Sequence, residues 1–102
     1  MQIYKLSKTF PSEELYGLIS QIRRAVTSIS LNIAEGSGSN SKKEFSRFLE
    51  IALRSNYEVM TCLEIALRLN YFEEEDFDRL IAEADEIAAM INGFSKSLAS
   101  GF

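Results

Sequence analysis

The sequence predicts an all-α fold, an antiparallel up-down four-helix bundle in which a single domain spans residues 1–102 and the first helix is short or truncated. Three observations predict it. Proline occurs once and glycine five times in 102 residues, so the two residues that interrupt helices are scarce. Apolar side chains recur at three- and four-residue steps through most of the chain, and no segment alternates with the two-residue period of a strand. The connections between periodic segments are short, which makes sequential helices antiparallel neighbours.

The first segment, residues 1–9, places Ile3, Leu6 and Phe10 at helical steps and stops before Pro11. Proline disfavours helix in the residue preceding it. A helix under ten residues is marginal alone, so this segment needs a surface to pack on. The second segment runs from about Ser12 to Glu35. Ser12 is an N-cap followed by Glu13 and Glu14, whose carboxylates complement the helix dipole. Leu15, Leu18, Ile19, Ile22, Val26, Ile29 and Ile33 make one stripe, and Gly36 is expected to end the helix at C′. A Gly-Ser-Gly-Ser-Asn loop follows.

The third segment opens on Ser41-Lys42-Lys43-Glu44, which has the spacing of a capping box. It meets no breaker until Asn70 and is the longest element, roughly 40 Å. Its main stripe is Phe45, Phe48, Leu49, Ala52, Asn56, Val59, Leu63 and Ala66. A second apolar line, Leu53, Tyr57, Met60 and Leu67, lies about 100° round the helix and is the candidate contact with another subunit. The fourth segment begins in the acidic run at 73–76. It presents Phe77, Leu80, Ile81, Ala84, Ile87, Ala88, Ile91, Phe94 and Leu98 on one stripe.

Charge is unevenly distributed. The chain carries −4 overall, yet residues 73–86 alone carry −7, while 1–40 and 42–68 are each +1. A net negative field opposes whole-surface nucleic-acid binding. Cys62 is the only cysteine, so neither an intrachain disulfide nor a thiolate metal site can form within one chain. Histidine is absent, which removes di-iron Glu-x-x-His sites and Ser/His or Cys/His nucleophile systems. No apolar run reaches the 18 or more residues of a membrane span and the N-terminus does not read as a signal peptide. A cytoplasmic protein without membrane partners is expected.

Three constellations carry functional readings. Arg23, Arg24, Lys42, Lys43 and Arg47 are the candidate nucleic-acid contacts, weighed against an ordinary solvated face with ion pairs such as Glu50–Arg54 and Glu64–Arg68. Asn56 sits on an apolar stripe and requires a partner; Ser28, Asn32, Ser55 and Glu58 complete a candidate polar network. Glu75, Asp78, Glu83 and Glu86, with Glu58 and Glu64 on the preceding helix, are the weak case for a magnesium-dependent nucleotide hydrolase. The Gly36-Ser37-Gly38 stretch lacks the lysine and the preceding strand of a phosphate-binding loop and is expected to be a plain turn.

The strings Ser20-Gln21-Ile22-Arg23-Arg24-Ala25, Asn32-Ile33-Ala34-Glu35-Gly36 and Ser41-Lys42-Lys43-Glu44-Phe45, with Ser28-Ile29 and Arg47-Phe48-Leu49, resemble the bacterial four helix bundle proteins, also called 23S ribosomal RNA intervening-sequence proteins. The accessory variability protein of diversity-generating retroelements is among their relatives. The resemblance covers about residues 4–98. It implies a bundle that assembles into a ring, typically a pentamer; in the retroelement relatives the ring is basic, binds nucleic acid and partners a reverse transcriptase. This sequence departs from the family at four positions. It has Ser30 where proline is frequent, Ser39 where an arginine follows the loop, and Arg54 and Asn56 where glycine and leucine are usual. Family members also begin with a longer first helix.

The expectation is therefore a non-enzymatic homo-oligomer, without catalytic residues, cofactor or metal, serving as a binding or scaffold module for a protein or a structured RNA. Direct RNA or DNA binding through the basic residues is the alternative.

Overall fold

A computed structural model describes residues 12–99, with side chains from Gly17 to Ala99 apart from Ile19. Three α-helices follow one another: α1 (Ser12–Ser37), α2 (Lys42–Arg68) and α3 (Glu74–Ala99). The expected helix before Pro11 lies outside the described residues. Among the described residues there is no strand.

The start of α2 is fixed by Ser41, which is extended (φ −141°, ψ 150°) and whose Oγ accepts a hydrogen bond from the Glu44 N–H at 3.0 Å. Only the hydroxyl half of the capping box forms this way; the Glu44 carboxylate instead pairs with Arg47 at 2.8 Å. The helix ends at Arg68 with Leu69 as its C-cap, and Asn70 just beyond, with φ 59°, is the one non-glycine residue at positive φ among those described. The Asn70 N–H donates to the Leu67 carbonyl and the Tyr71 N–H to the Ala66 carbonyl, the paired bonds of a Schellman end.

Gly36 does not stop α1, which continues to Ser37. Its role is close approach: a Cβ there would lie 2.7 Å from Cδ1 of Phe45 and 3.0 Å from Cβ of Phe48. The first turn of α2 therefore packs on the backbone of α1. The loop beyond is closed locally, with Ser37 Oγ and Ser39 Oγ donating to the carbonyls of Ala34 and Gly36. Both carbonyls also accept a backbone N–H, from Gly38 and Ser39 respectively, so the hydroxyls are second donors that tighten the turn.

Helices α1 and α3 lie on either side of α2, antiparallel to it, and barely touch each other. The core is Ile22, Ala25 and Ile29 from α1, Leu49, Ala52, Val59, Cys62, Leu63 and Ala66 from α2, and Leu80, Ala84, Ala88 and Ile91 from α3. Fully buried alanines at 52 and 66 let the flanking helices sit close to α2. Leu18, Val26, Ile33, Phe77, Ile81, Ile87 and Leu98 pack against its margins. Phe94 departs from the expected stripe: its ring centroid is 6.4 Å from that of Phe45, yet it is half exposed. None of the described helices is long and apolar enough to cross a membrane.

Candidate functional site

Most polar side chains of the expected network meet at two separate seams, not one. Between α1 and α2, Ser28 Oγ and Ser55 Oγ are 2.8 Å apart, and the Asn32 amide donates to the Ser28 carbonyl at 2.8 Å and to its Oγ at 3.1 Å. Asn56, 1% exposed, turns the other way. Its Nδ2 donates to the carbonyl of Ala84 in α3 at 2.8 Å, and its Oδ1 has no hydrogen-bond partner among the described residues. Glu58 stays on the surface and joins neither seam. Asn56 thus finds a backbone acceptor on α3 and none of the side chains expected for it. About two turns along α2 from Ser55 and on the same side, the Cys62 thiol is buried and faces Gln21 Oε1 at 3.8 Å. Burial, and then the charge of Glu58, push its ionisation above the ordinary thiol range.

The basic residues fall into two groups. Lys42, Lys43 and Arg47 are exposed on the first turns of α2. Arg47 pairs with Glu44, which raises its pKa, and its guanidinium carbon lies 4.7 Å above the Phe48 ring. Arg23 and Arg24 are exposed at mid-length on α1 and border a shallow surface groove with Thr27, Ser28, Leu31 and Asn32. Ser28 is level with Ser55, whereas Gly36 is level with Phe48. Arg24 is therefore level with about Val59, twelve residues or roughly 18 Å along the axis from Arg47 and seventeen residues or roughly 25 Å from Lys42. The five side chains do not form one patch. The expected ion pair Glu50–Arg54 is present at 2.7 Å; Glu64 and Arg68 do not pair among the described residues.

Among the described residues no three His, Cys, Asp or Glu side chains are grouped so as to hold a metal ion. Asp78 and Glu86 are exposed along α3, and Glu58 and Glu64 are exposed on α2. Asp76 is held by Arg79 at 3.2 Å.

Apolar surface is the most prominent feature of the outer faces. Leu31, Tyr57, Ile65, Leu69, Met90 and Phe94 are all at least 42% exposed. In the second apolar line of α2, Leu53, Met60 and Leu67 are half-buried and only Tyr57 is open. The stronger exposure lies elsewhere, at Met90 and Phe94 on α3 and at Leu31 on α1, with Ile65 and Leu69 open on the face shared by α1 and α2. There a second groove is lined by Gly17, Leu18, Gln21, Ile65, Leu69 and Tyr71. Sequence periodicity missed this face because it joins two helices: Leu18 belongs to the α1 stripe, while Ile65 and Leu69 lie off both apolar lines of α2.

The family model of the 23S rRNA-intervening sequence protein matches residues 1–93. The chain belongs to this family. It is also similar to the crystal structure of a protein of unknown function from the S23 ribosomal protein family of Bacteroides thetaiotaomicron VPI-5482. The two are 29% identical, with a TM-score of 0.83, over 93% of this chain and 89% of that chain. No curated protein matches the chain. Both polar seams, both basic groups and all the large exposed apolar residues except Phe94 lie inside the span matched as a 23S rRNA-intervening sequence protein.

Proposed function

We propose that this 23S rRNA-intervening sequence protein is a cytoplasmic, non-enzymatic homo-oligomer that acts as a binding or scaffold module. In this reading residues before Pro11 add a short fourth helix to the three described, and the assembly is a ring of about five chains, as in the proteins it resembles. The observation that carries it is the set of large apolar side chains left open on outward faces, led by Met90 at 62% and Leu31 at 59%. Apolar patches of this kind mark contact with another protein surface, and a chain this small gains most from covering them.

The test is the solution mass, by light scattering on a sizing column at two salt concentrations. A mass near five times 11.5 kDa is expected. A single-chain mass at both salts rules out self-assembly.

A second reading is direct RNA or DNA binding, favoured by the exposed Lys42, Lys43 and Arg47 beside the loop. It requires an affinity that falls steeply with salt and that Lys42→Glu with Lys43→Glu abolishes. Since Arg23 and Arg24 lie some turns away, their replacement should leave that affinity nearly unchanged.

A further inference from the structure

We propose that two different faces of this chain bind each other in neighbouring copies: the α1 face bearing Arg24 and Leu31, and the α3 face bearing Glu83, Glu86 and Met90. This rests on the homo-oligomeric reading and names the surfaces that would build it.

The argument starts from heights along the bundle. Ser28 of α1 is level with Ser55 of α2, and the next residue, Asn56, is level with Ala84 of α3. Ser28 therefore stands at about the height of Asp85. Counting back along α1 and α3, which run parallel, Arg24 comes within two residues of the height of Glu83. Leu31 comes within two residues of Met90. At 1.5 Å per residue both offsets are about 3 Å and in the same direction, so one copy can lie beside another with almost no axial slide.

Chemistry matches position. Each face carries a charged residue seven positions before an exposed apolar one: Arg24 then Leu31, Glu83 then Met90. Seven residues are close to two helical turns, so each pair lies on one side of its helix. Leu31 is 59% exposed and Met90 62%. Among the described residues the ion pairs Glu44–Arg47, Glu50–Arg54 and Asp76–Arg79 leave Arg24, Glu83 and Glu86 out. The local charges also oppose, since Arg23 and Arg24 stand together at mid-length on α1 while residues 73–86, which hold Glu83 and Glu86, carry −7. Opposed potentials orient an encounter, and like charges brought together penalise the wrong one. A face paired with itself gains no such match: two α1 faces bring only the positive Arg24 side chains together, and two α3 faces only the negative Glu83 and Glu86. The contact is therefore heterologous, each copy using one face for each neighbour.

The experiment is a mixing test on the full chain, read by light scattering, with circular dichroism confirming that each variant is helical. Leu31→Glu spoils only the α1 face and Met90→Lys only the α3 face. Each variant alone is expected to run as a single chain. Mixed in equal amounts they are expected to form a one-to-one dimer, because each retains the face the other lacks. Arg24→Glu is expected to weaken assembly at least tenfold, and adding Glu83→Arg with Glu86→Arg to recover most of that loss. Wild type that assembles while both single variants assemble equally well would overturn the proposal and leave the homo-oligomeric reading standing. So would single variants that dissociate but stay apart on mixing, since like faces would then be meeting. A single-chain wild type would overturn both.

Discussion

Asn56 is where one side chain decides most. It is fully buried, makes one bond to the Ala84 carbonyl, and leaves Oδ1 without a partner among the described residues. An unsatisfied buried polar atom costs about 1–3 kcal/mol. The Ala84 carbonyl sits mid-helix, where the backbone ladder of α3 already gives it a donor. Asn56→Leu, close in size, should therefore raise stability by about 1–2 kcal/mol, read as a higher urea midpoint with an unchanged slope. Asn56→Ala should lower it, because it opens a cavity as well as losing the bond. Cys62 gives a pH prediction. Burial raises its pKa in the folded chain, so above the ordinary thiol range of about 8.5 the unfolded state loses a proton that the folded state keeps. Stability should be constant below that range and fall as pH rises through it. Wild type minus Cys62→Ala, compared at pH 7 and pH 10, isolates the effect. That Asn56 must have a partner was legible in the sequence, since an amide stands on an apolar stripe. Which partner was not, because a backbone carbonyl on another helix leaves no mark in residue type.

Helix boundaries were the most legible feature at the level of elements, because caps are local chemistry. Ser41 and Asn70 both bound α2 where their types imply. Ser41→Ala should cost about 1 kcal/mol in thermal or urea unfolding. Asn70→Gly should be neutral or slightly stabilising, and Asn70→Val destabilising, since a β-branched residue is strained at φ 59°. Gly36 was misread for a physical reason: a glycine near a helix end has the same signature whether it terminates the helix or admits a neighbour. The neighbour is Phe45, nine residues on and across a turn. Gly36→Ala should therefore destabilise by about 1–3 kcal/mol through overpacking, although alanine is the better helix former. Phe45→Leu in the same chain should recover part of that loss, a non-additivity that a helix-end effect would not produce.

Charge segregation was visible in the sequence across the whole molecule, but its geometry was not. The −7 of residues 73–86 is plain from composition, whereas the separation of Arg24 from Lys42 depends on how α1 folds back on α2. The same fold-back sets the outward apolar faces, whose coverage should be measurable as a link between stability and concentration. Binding that favours only the folded chain raises stability by mass action. A tenfold rise in concentration then adds a little over 1 kcal/mol per chain. For about 100 residues, each kcal/mol moves the melting midpoint by roughly 4–8 °C. Tenfold concentration of the wild type should accordingly raise its midpoint by about 5 °C, whereas Met90→Lys, with one face removed, should melt at the same temperature at every dilution. A wild-type midpoint that ignores concentration would mean that chains fold and melt singly, with Leu31 and Met90 open to water throughout.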